Sequence, residues 1–304
     1  MSKLKSQLNH CISQSLRINE SKRDYKAAHN GSTNGYIFGV QTAETYRNTA
    51  NQFSKWMDKN YPGTKIRHIT ADHVNEWVKE HEKTWSRKTA LDKISDMRNI
   101  MLRAERVFHK CRFDPKKLQE VAGYTEKVRD KAMEKEDIEK IRNSFTARAS
   151  RSEAVTALEL SARLGMRVSE TVDYRNRGKA IDLDNRKVHI VGKNGKWRDI
   201  PIREKDLEYM AALKERIGPD GRFCGNTRAE SMTRAIRREM QALGISGKYE
   251  KTTNHAIRKF YARERMNEER EKGLTEREAW EIVQHELGHG EKFRQALYDA
   301  YIGG

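Results

Sequence analysis

Residues 186–202 read RKVHIVGKNGKWRDIPI, and this stretch decides the fold. Val188 and Ile190 alternate with polar neighbours, and so do Ile200 and Ile202 further on. Side chains that alternate with period two belong to strands with one buried face. Between the two runs lies Lys193-Asn194-Gly195-Lys196, and Asn-Gly is a preferred pair for a two-residue hairpin turn. The stretch therefore predicts a β-hairpin. On either side of it apolar residues recur at the helical period of about 3.6, and the whole chain has only four prolines. The expectation is a mainly α protein with a small antiparallel β-sheet.

Downstream of the hairpin the spacing predicts helices at about 204–217, 227–243, 252–267 and 275–287, the last opened by a Thr275/Glu278 capping box. Upstream, helices begin near Lys135, and one over 151–164 presents Ala154, Leu158 and Ala162 to a core. Ser169 is expected to cap a short helix after it. Residues 123–134, GYTEKVRDKAME, are charged and lack an apolar period, so an interdomain linker is placed there. Residues 36–122 then form a separate helical domain. Tyr46, Ala50, Phe53, Trp56 and Met57 share one face before Pro62-Gly63 breaks the helix. Thr70 caps a second helix with Val74, Trp77, Val78 and His81, and Ser86 a third with Leu91, Ile94, Met101, Ala104 and Phe108 inward. Asp114-Pro115 is read as the start of a fourth. Residues 1–35 are read as an N-terminal extension, a short helix over 2–17 followed by the turn-forming run HNGSTNG at 29–35.

The 304 residues carry 61 Lys and Arg against 44 Asp and Glu, a net charge of +17. A surplus of that size points to a polyanionic partner, nucleic acid first. A membrane surface fits less well, since no helix sets a strongly apolar face against a basic one. Cys11, Cys111 and Cys224 are scattered, which argues against a disulfide framework and against a cysteine-rich zinc site. No apolar run reaches 18 residues and the start lacks a signal-peptide core. A cytoplasmic protein without a membrane partner is expected.

Five stretches of the second half follow one another as LGMRVSE (164–170), VGKNGKWRDIPI (191–202), HAIR (255–258), ELGH (286–289) and ALYDAYI (296–302). In these the chain resembles the tyrosine recombinases, which include phage integrases and chromosome-dimer resolvases. Their pattern is an arginine in a G-x-R-x-S-E turn, a hairpin lysine, an H-x-x-R box, an L-G-H box and a tyrosine nine residues later. Residues 36–122, opening with TAETYRNTANQFSKW at 42–56, resemble the family's DNA-holding core-binding domain. The resemblance implies a mixed α/β catalytic domain at 135–304, with both domains closing on duplex DNA.

The resemblance also assigns roles. Tyr298 attacks the phosphodiester and forms a 3′-phosphotyrosine bond, which stores the energy for rejoining. Arg167 and Arg258 hold the non-bridging oxygens, as planar forks that stay protonated. His255 and His289 add donors, with His255 also able to take the tyrosine proton. Lys193 protonates the leaving 5′ oxygen. Fixed cations do the work of a metal here, so no metal and no cofactor are expected. The partners implied are double-stranded DNA, further copies of the chain in a tetramer, and an accessory DNA-bending or directionality protein.

Several residues have rivals. Lys196 competes with Lys193 on the same turn, and Tyr301 with Tyr298, although its spacing from His289 departs from the pattern. Glu170 is read as a structural partner. His285-Glu286-Leu287-Gly288-His289 matches the H-E-x-x-H zinc motif, but Lys292 and Gln295 stand where the longer form needs Gly and His. Arg258 and His289 are 31 positions apart, a lengthened stretch that suggests an integrase of a mobile element. Only six residues follow Tyr298, short for a helix exchanged between subunits. A type IB topoisomerase and a catalytically silent DNA-binding regulator are the alternative functions.

Overall fold

The computed structural model describes residues 3–119, 131–147, 152–192, 195–249, 253–290 and 292–303. The chain forms two compact units, Met1–Lys127 and Val128–Gly304.

The first unit is helical, with α1 (Lys3–Gln14), α2 (Lys22–Ala28), α3 (Val40–Asn60), α4 (Ala71–Glu80) and α5 (Arg87–Phe108). Its core gathers Phe53, Met57, Val74, Trp77, Met97 and Met101. Helix α1 corrects the reading of residues 1–35 as an extension. Leu4, Leu8, Cys11 and Ile12 fall on one face and are buried in this same core. The polar run at 29–35 separates α1 from α3 in sequence but not in packing: Arg17 N donates to Ile37 O at 2.8 Å, and Ile37 N to Ser15 O at 2.8 Å. Two further expectations change. Leu91 lies one position off the buried stripe of α5 and is exposed, while Ala90 and Ile94 point inward. Asp114-Pro115 starts a single 3-10 turn, Pro115–Lys117, because no apolar period follows to hold a longer helix.

The second unit carries α6 (Lys135–Thr146), α7 (Ser152–Leu164), α8 (Val168–Thr171), β1 (Ile181–Asp182), β2 (Lys187–Val191), β3 (Trp197–Pro201), α9 (Leu207–Ile217), α10 (Ala229–Ala242), α11 (Thr253–Glu271), α12 (Glu276–Glu286) and α13 (Gln295–Tyr301). The strands form one antiparallel sheet in the order β1-β2-β3, with Val188 opposite Ile200 and Val191 opposite Trp197. The hairpin is therefore wider than its Asn-Gly pair suggests. Five residues, 192–196, separate the last paired positions, and Gly192 N donates to Lys196 O at 2.7 Å across the base. Strand β1 is short and has no alternating pattern of its own, so pairing with β2 alone defines it. Helix α11 lies against α7, α10 and α12, and Leu158, Ile257, Tyr261, Trp280 and Val283 fill the space among them. Most of the expected linker falls outside the described residues. Its last part belongs to this unit, since Met133 is buried and donates from its backbone N to Ala256 O at 2.9 Å. Among the described residues, no helix is long and apolar enough to cross a membrane.

Candidate active site

The site forms where α7, α11 and α12 end or turn toward one another. After Leu164 the chain bends at Gly165, with φ at +59°. A Cβ there would come within 2.4 Å of the Tyr261 ring, so only glycine fits this close approach. The bend delivers Arg167 to the N-cap position of α8, with Glu170 reaching back to accept from Arg167 N at 2.7 Å. Arg167 is thus the capping position, and Ser169, expected as the cap, lies inside the helix.

Arg258 comes from the second turn of α11 and is 1% exposed. Its Nη1 donates to Gly165 O and its Nη2 to Leu287 O, so two backbone carbonyls fix its plane. His289 reaches the site through the end of α12. Gly288 takes φ of +69°, Gly288 N donates to His285 O at 2.8 Å and His289 N to Gln284 O at 3.0 Å. This left-handed stop satisfies the last helix carbonyls and turns the chain back. His289 Nε2 then lies 3.4 Å from Arg258 Nη2.

Glu170 is the counter-charge of the cluster and is 3% exposed. It accepts from Arg167 Nη1 at 2.8 Å and from Arg198 Nη1 and Nη2 at 3.0 and 2.7 Å, and stands 4.0 Å from Arg258 Nη1. Burial, the largest single influence, would raise its carboxyl, but the hydrogen bonds and charge of Arg198, the charge of Arg258 and the Arg167 backbone N–H together hold it below the usual range. Arg198, on β3, also donates from Nε to Glu286 O at 2.8 Å, tying the hairpin to α12. His289 goes the other way. Burial, then the charges of Arg258 and Arg167, pull its imidazolium down to about 3, so the ring is neutral at ordinary pH. Arg258 Nη2 can only donate, which leaves Nε2 as the acceptor and puts the ring proton on Nδ1.

The structure brings Arg167, Arg258 and His289 together. His255 sits one turn before Arg258 on α11, exposed, and close enough for its charge to weigh on His289. Lys193 lies outside the described residues, and its rival Lys196 is exposed on the hairpin. The expected tyrosine is not in the cluster. Tyr298 is half-buried and donates its hydroxyl to Glu276 Oε1 at the start of α12, its ring edge-on to Trp280 at 5.5 Å. Tyr301 is in the cluster instead, 4% exposed, with its Oη 3.0 Å from Arg258 Nε and 3.1 Å from His289 Nε2. The H-E-x-x-H stretch does not assemble a metal site. Glu286 is buried and bonded to Arg265 at 2.7 Å and to Tyr261 at 2.7 Å, while His285 points to solvent. Among the described residues, no group of three His, Cys, Asp or Glu is placed to hold a metal ion.

A cluster of arginines, Arg198 and Arg258 buried and Arg167 partly exposed, around one carboxylate, with a neutral histidine and a phenol, can bind a phosphodiester and stabilise the charge of its transition state. Sequence reasoning missed Arg198, and it named Tyr301 only as a rival of Tyr298. Arg198 alternates correctly with Ile200 to point at the core face, which is the available signal.

The model of the phage integrase family matches residues 131–291, more than half of the chain. The chain belongs to the phage integrase family, the tyrosine-type site-specific DNA recombinases. The family's N-terminal SAM-like domain matches residues 39–105, most of the first helical unit. No curated protein sequence matches the chain. Among solved structures, this integrase is similar to the XerH site-specific recombinase in its post-cleavage complex with palindromic difH substrate. They share 15% identity at a TM-score of 0.60, over 99% of this chain and 91% of that one. A lambda integrase tetramer bound to a Holliday junction matches at 17% identity and TM-score 0.61, over 96% and 80%. The Tn1549 transposon integrase in complex with transposon right end DNA matches at 14% and 0.55, over 95% and 92%. At these identities the likeness establishes the fold.

Proposed function

We propose that this integrase cuts and rejoins duplex DNA at a specific site through a 3′-phosphotyrosine bond, without a metal. The observation that carries this reading is the joining of Arg167, Arg258 and His289 around one small site from three separate elements. Arg167 and Arg258 take the non-bridging oxygens of the scissile phosphate. Arg258 is buried and fixed by backbone carbonyls, so its charge meets the transition state without reorganising. His255, on the same helix face, adds a donor to the phosphate. Lys193 is the acid that protonates the departing 5′ oxygen. The nucleophile is a tyrosine of α13, which carries both Tyr298 and Tyr301.

The net charge of +17 supports duplex DNA as the substrate. The XerH, lambda and Tn1549 proteins are seen on DNA, and the lambda protein as a tetramer. We extend that to this chain as a homo-tetramer on DNA, assisted by an accessory DNA-bending or directionality protein, and serving a mobile element. A duplex recovered from a random-sequence pool by binding to the full chain, then nicked at successive positions, tests the reading. In EDTA, wild type should be trapped as a covalent adduct and Arg167→Ala should not. Activity lost in chelator and restored by zinc would refute metal-free cleavage. Binding without any adduct would leave a silent regulator, and relaxation of supercoils without site preference a topoisomerase.

A further inference from the structure

We infer that Trp197 holds the strand that leaves: its indole stacks on the base of the nucleotide carrying the departing 5′ oxygen and keeps that end beside the phosphotyrosine bond until it is rejoined. The inference rests on the phosphotyrosine reading above. It adds a DNA contact that neither the arginine cluster nor the hairpin lysine supplies.

Trp197 opens β3 and pairs with Val191, so it is the last paired residue before the five-residue turn 192–196. Side chains alternate along the strand. Arg198 and Ile200 turn to the buried face, which puts Trp197 and Asp199 on the other. The indole is 55% exposed, an unusual place for so large an apolar group unless something covers it. It is also held still. His189, on the neighbouring strand, stacks on it with ring centroids 4.7 Å apart and planes 8° from parallel. His189 Nδ1 is bonded in turn to Asp199 Oδ1, and Lys187 Nζ donates to Asp199 Oδ2 at 2.9 Å. One residue further along, Arg198 fixes the backbone of β3 to Glu170 and to the carbonyl of Glu286. The aromatic surface is therefore set in place before DNA arrives, and little side-chain freedom is left to lose on contact.

The position of the turn says what that surface meets. A turn that delivers a proton to the leaving 5′ oxygen lies against the nucleotide bearing it, and Trp197 stands at the base of that turn. Gly192 N donates to Lys196 O at 2.7 Å, so the base is closed and the indole stays close to the tip. Lys196 is exposed next to it, and Arg175 lies beside Gly195, where a Cβ would stand 3.8 Å from Nη1. Cations suited to phosphates thus flank a ring suited to a base, the combination that grips single strands. The leaving nucleotide becomes such an end when its P–O5′ bond breaks, because covalent attachment no longer fixes its base in the stack.

The test loads the full chain with the nicked duplex described above, so that the adduct forms and the short leaving piece is lost. A 5′-hydroxyl oligonucleotide complementary to the exposed strand is then added, and the rejoining rate is followed against its concentration. Trp197→Ala should raise the half-maximal concentration roughly 5- to 150-fold, the range for losing one stacked base, and leave the maximal rate unchanged. Trp197→Phe should recover most of the loss. Trp197→Leu, apolar but without a π face, should not. An oligonucleotide with an abasic 5′ end should cost wild type as much as Trp197→Ala does, and cost that variant nothing further. An unchanged half-maximal concentration in both Trp197→Ala and Trp197→Leu, or an abasic end that penalises them as much as wild type, overturns the inference and leaves the phosphotyrosine reading standing. DNA bound by wild type with no adduct overturns both.

Discussion

Glu170→Gln tests the electrostatic frame of the site. The carboxylate accepts from both terminal nitrogens of Arg198 and from Nη1 and backbone N of Arg167, at distances between 2.7 and 3.0 Å. Glutamine keeps the shape and one carbonyl oxygen. Its other end becomes an NH2 donor facing guanidinium donors, and Arg198, 7% exposed, loses its counter-charge. Removing one partner of a buried ion pair costs roughly 3–5 kcal/mol. With a urea m-value of about 2 kcal/mol per molar, the midpoint of the second unit should fall by about 2 M. Arg167 also loses a charge-assisted bond worth about 1.5–3 kcal/mol, so cleavage should slow by roughly 10- to 150-fold even where the protein is folded. Urea unfolding read by hydrogen exchange in α7 and α11 isolates the second unit, and single-turnover cleavage well below the midpoint isolates the chemistry. Adding Arg198→Met should recover more than about 1 kcal/mol, because the stranded charge goes with it. A midpoint shift under about 0.5 M, or no recovery in the double variant, would refute the pairing. The sign with pH follows. The folded Glu170 carboxyl lies below its ordinary 4.5, so its contribution is present above that value and is lost as pH falls through the depressed one. Glu170→Gln should flatten that acid limb.

Other perturbations separate the remaining roles. Lys193→Ala should cut normal DNA about 10²–10⁴-fold more slowly, yet cut DNA with a bridging 5′ sulfur at near the wild-type rate, since that leaving group departs without a proton; rescue of Lys196→Ala instead would move the acid to Lys196. DNA affinity should fall steeply as salt rises, because bound lysines and arginines release counterions, and a flat response in a filter-binding titration would count against the nucleic-acid reading. His289 is depressed from 6.5 to about 3, so its neutral form stabilises the fold above 6.5, and that contribution is lost as pH falls through the window down to about 3. His289→Gln should make stability less steep in that window, and an unchanged slope in denaturant titrations would show that another group governs it.

Much of this organisation is legible in the sequence, and the exceptions have physical reasons. The Thr275/Glu278 box, most helices of the second unit and the presence of a hairpin over 187–201, though not its register, follow from local chemistry that needs no distant partner. Arg167, Arg258 and His289 are marked by their boxes, and they converge in space. Helix α1 is less legible, because a run of turn-forming residues reads as separation while its four apolar residues complete a core made by α3 and α5. Arg198 and Glu286 look like surface charges on a hairpin and a helix end. Only the tertiary structure shows that each is buried against an opposite charge. Between the two tyrosines the family spacing favours Tyr298, while only the tertiary structure shows that Tyr301 packs beside Arg258 and His289.

The two site arginines differ in how they are held, and that difference bears on evolutionary drift. Arg167 leans on the carboxylate of Glu170, so a single codon change at 170 can unseat it. Arg258 hangs from the carbonyls of Gly165 and Leu287, which every amino acid possesses. Side chains around it can change freely, provided the two turns keep their course. A lineage that altered its DNA target through substitutions near this helix would therefore carry one arginine unchanged, inherited with the path of the chain, while the other needs selection on its partner in every generation.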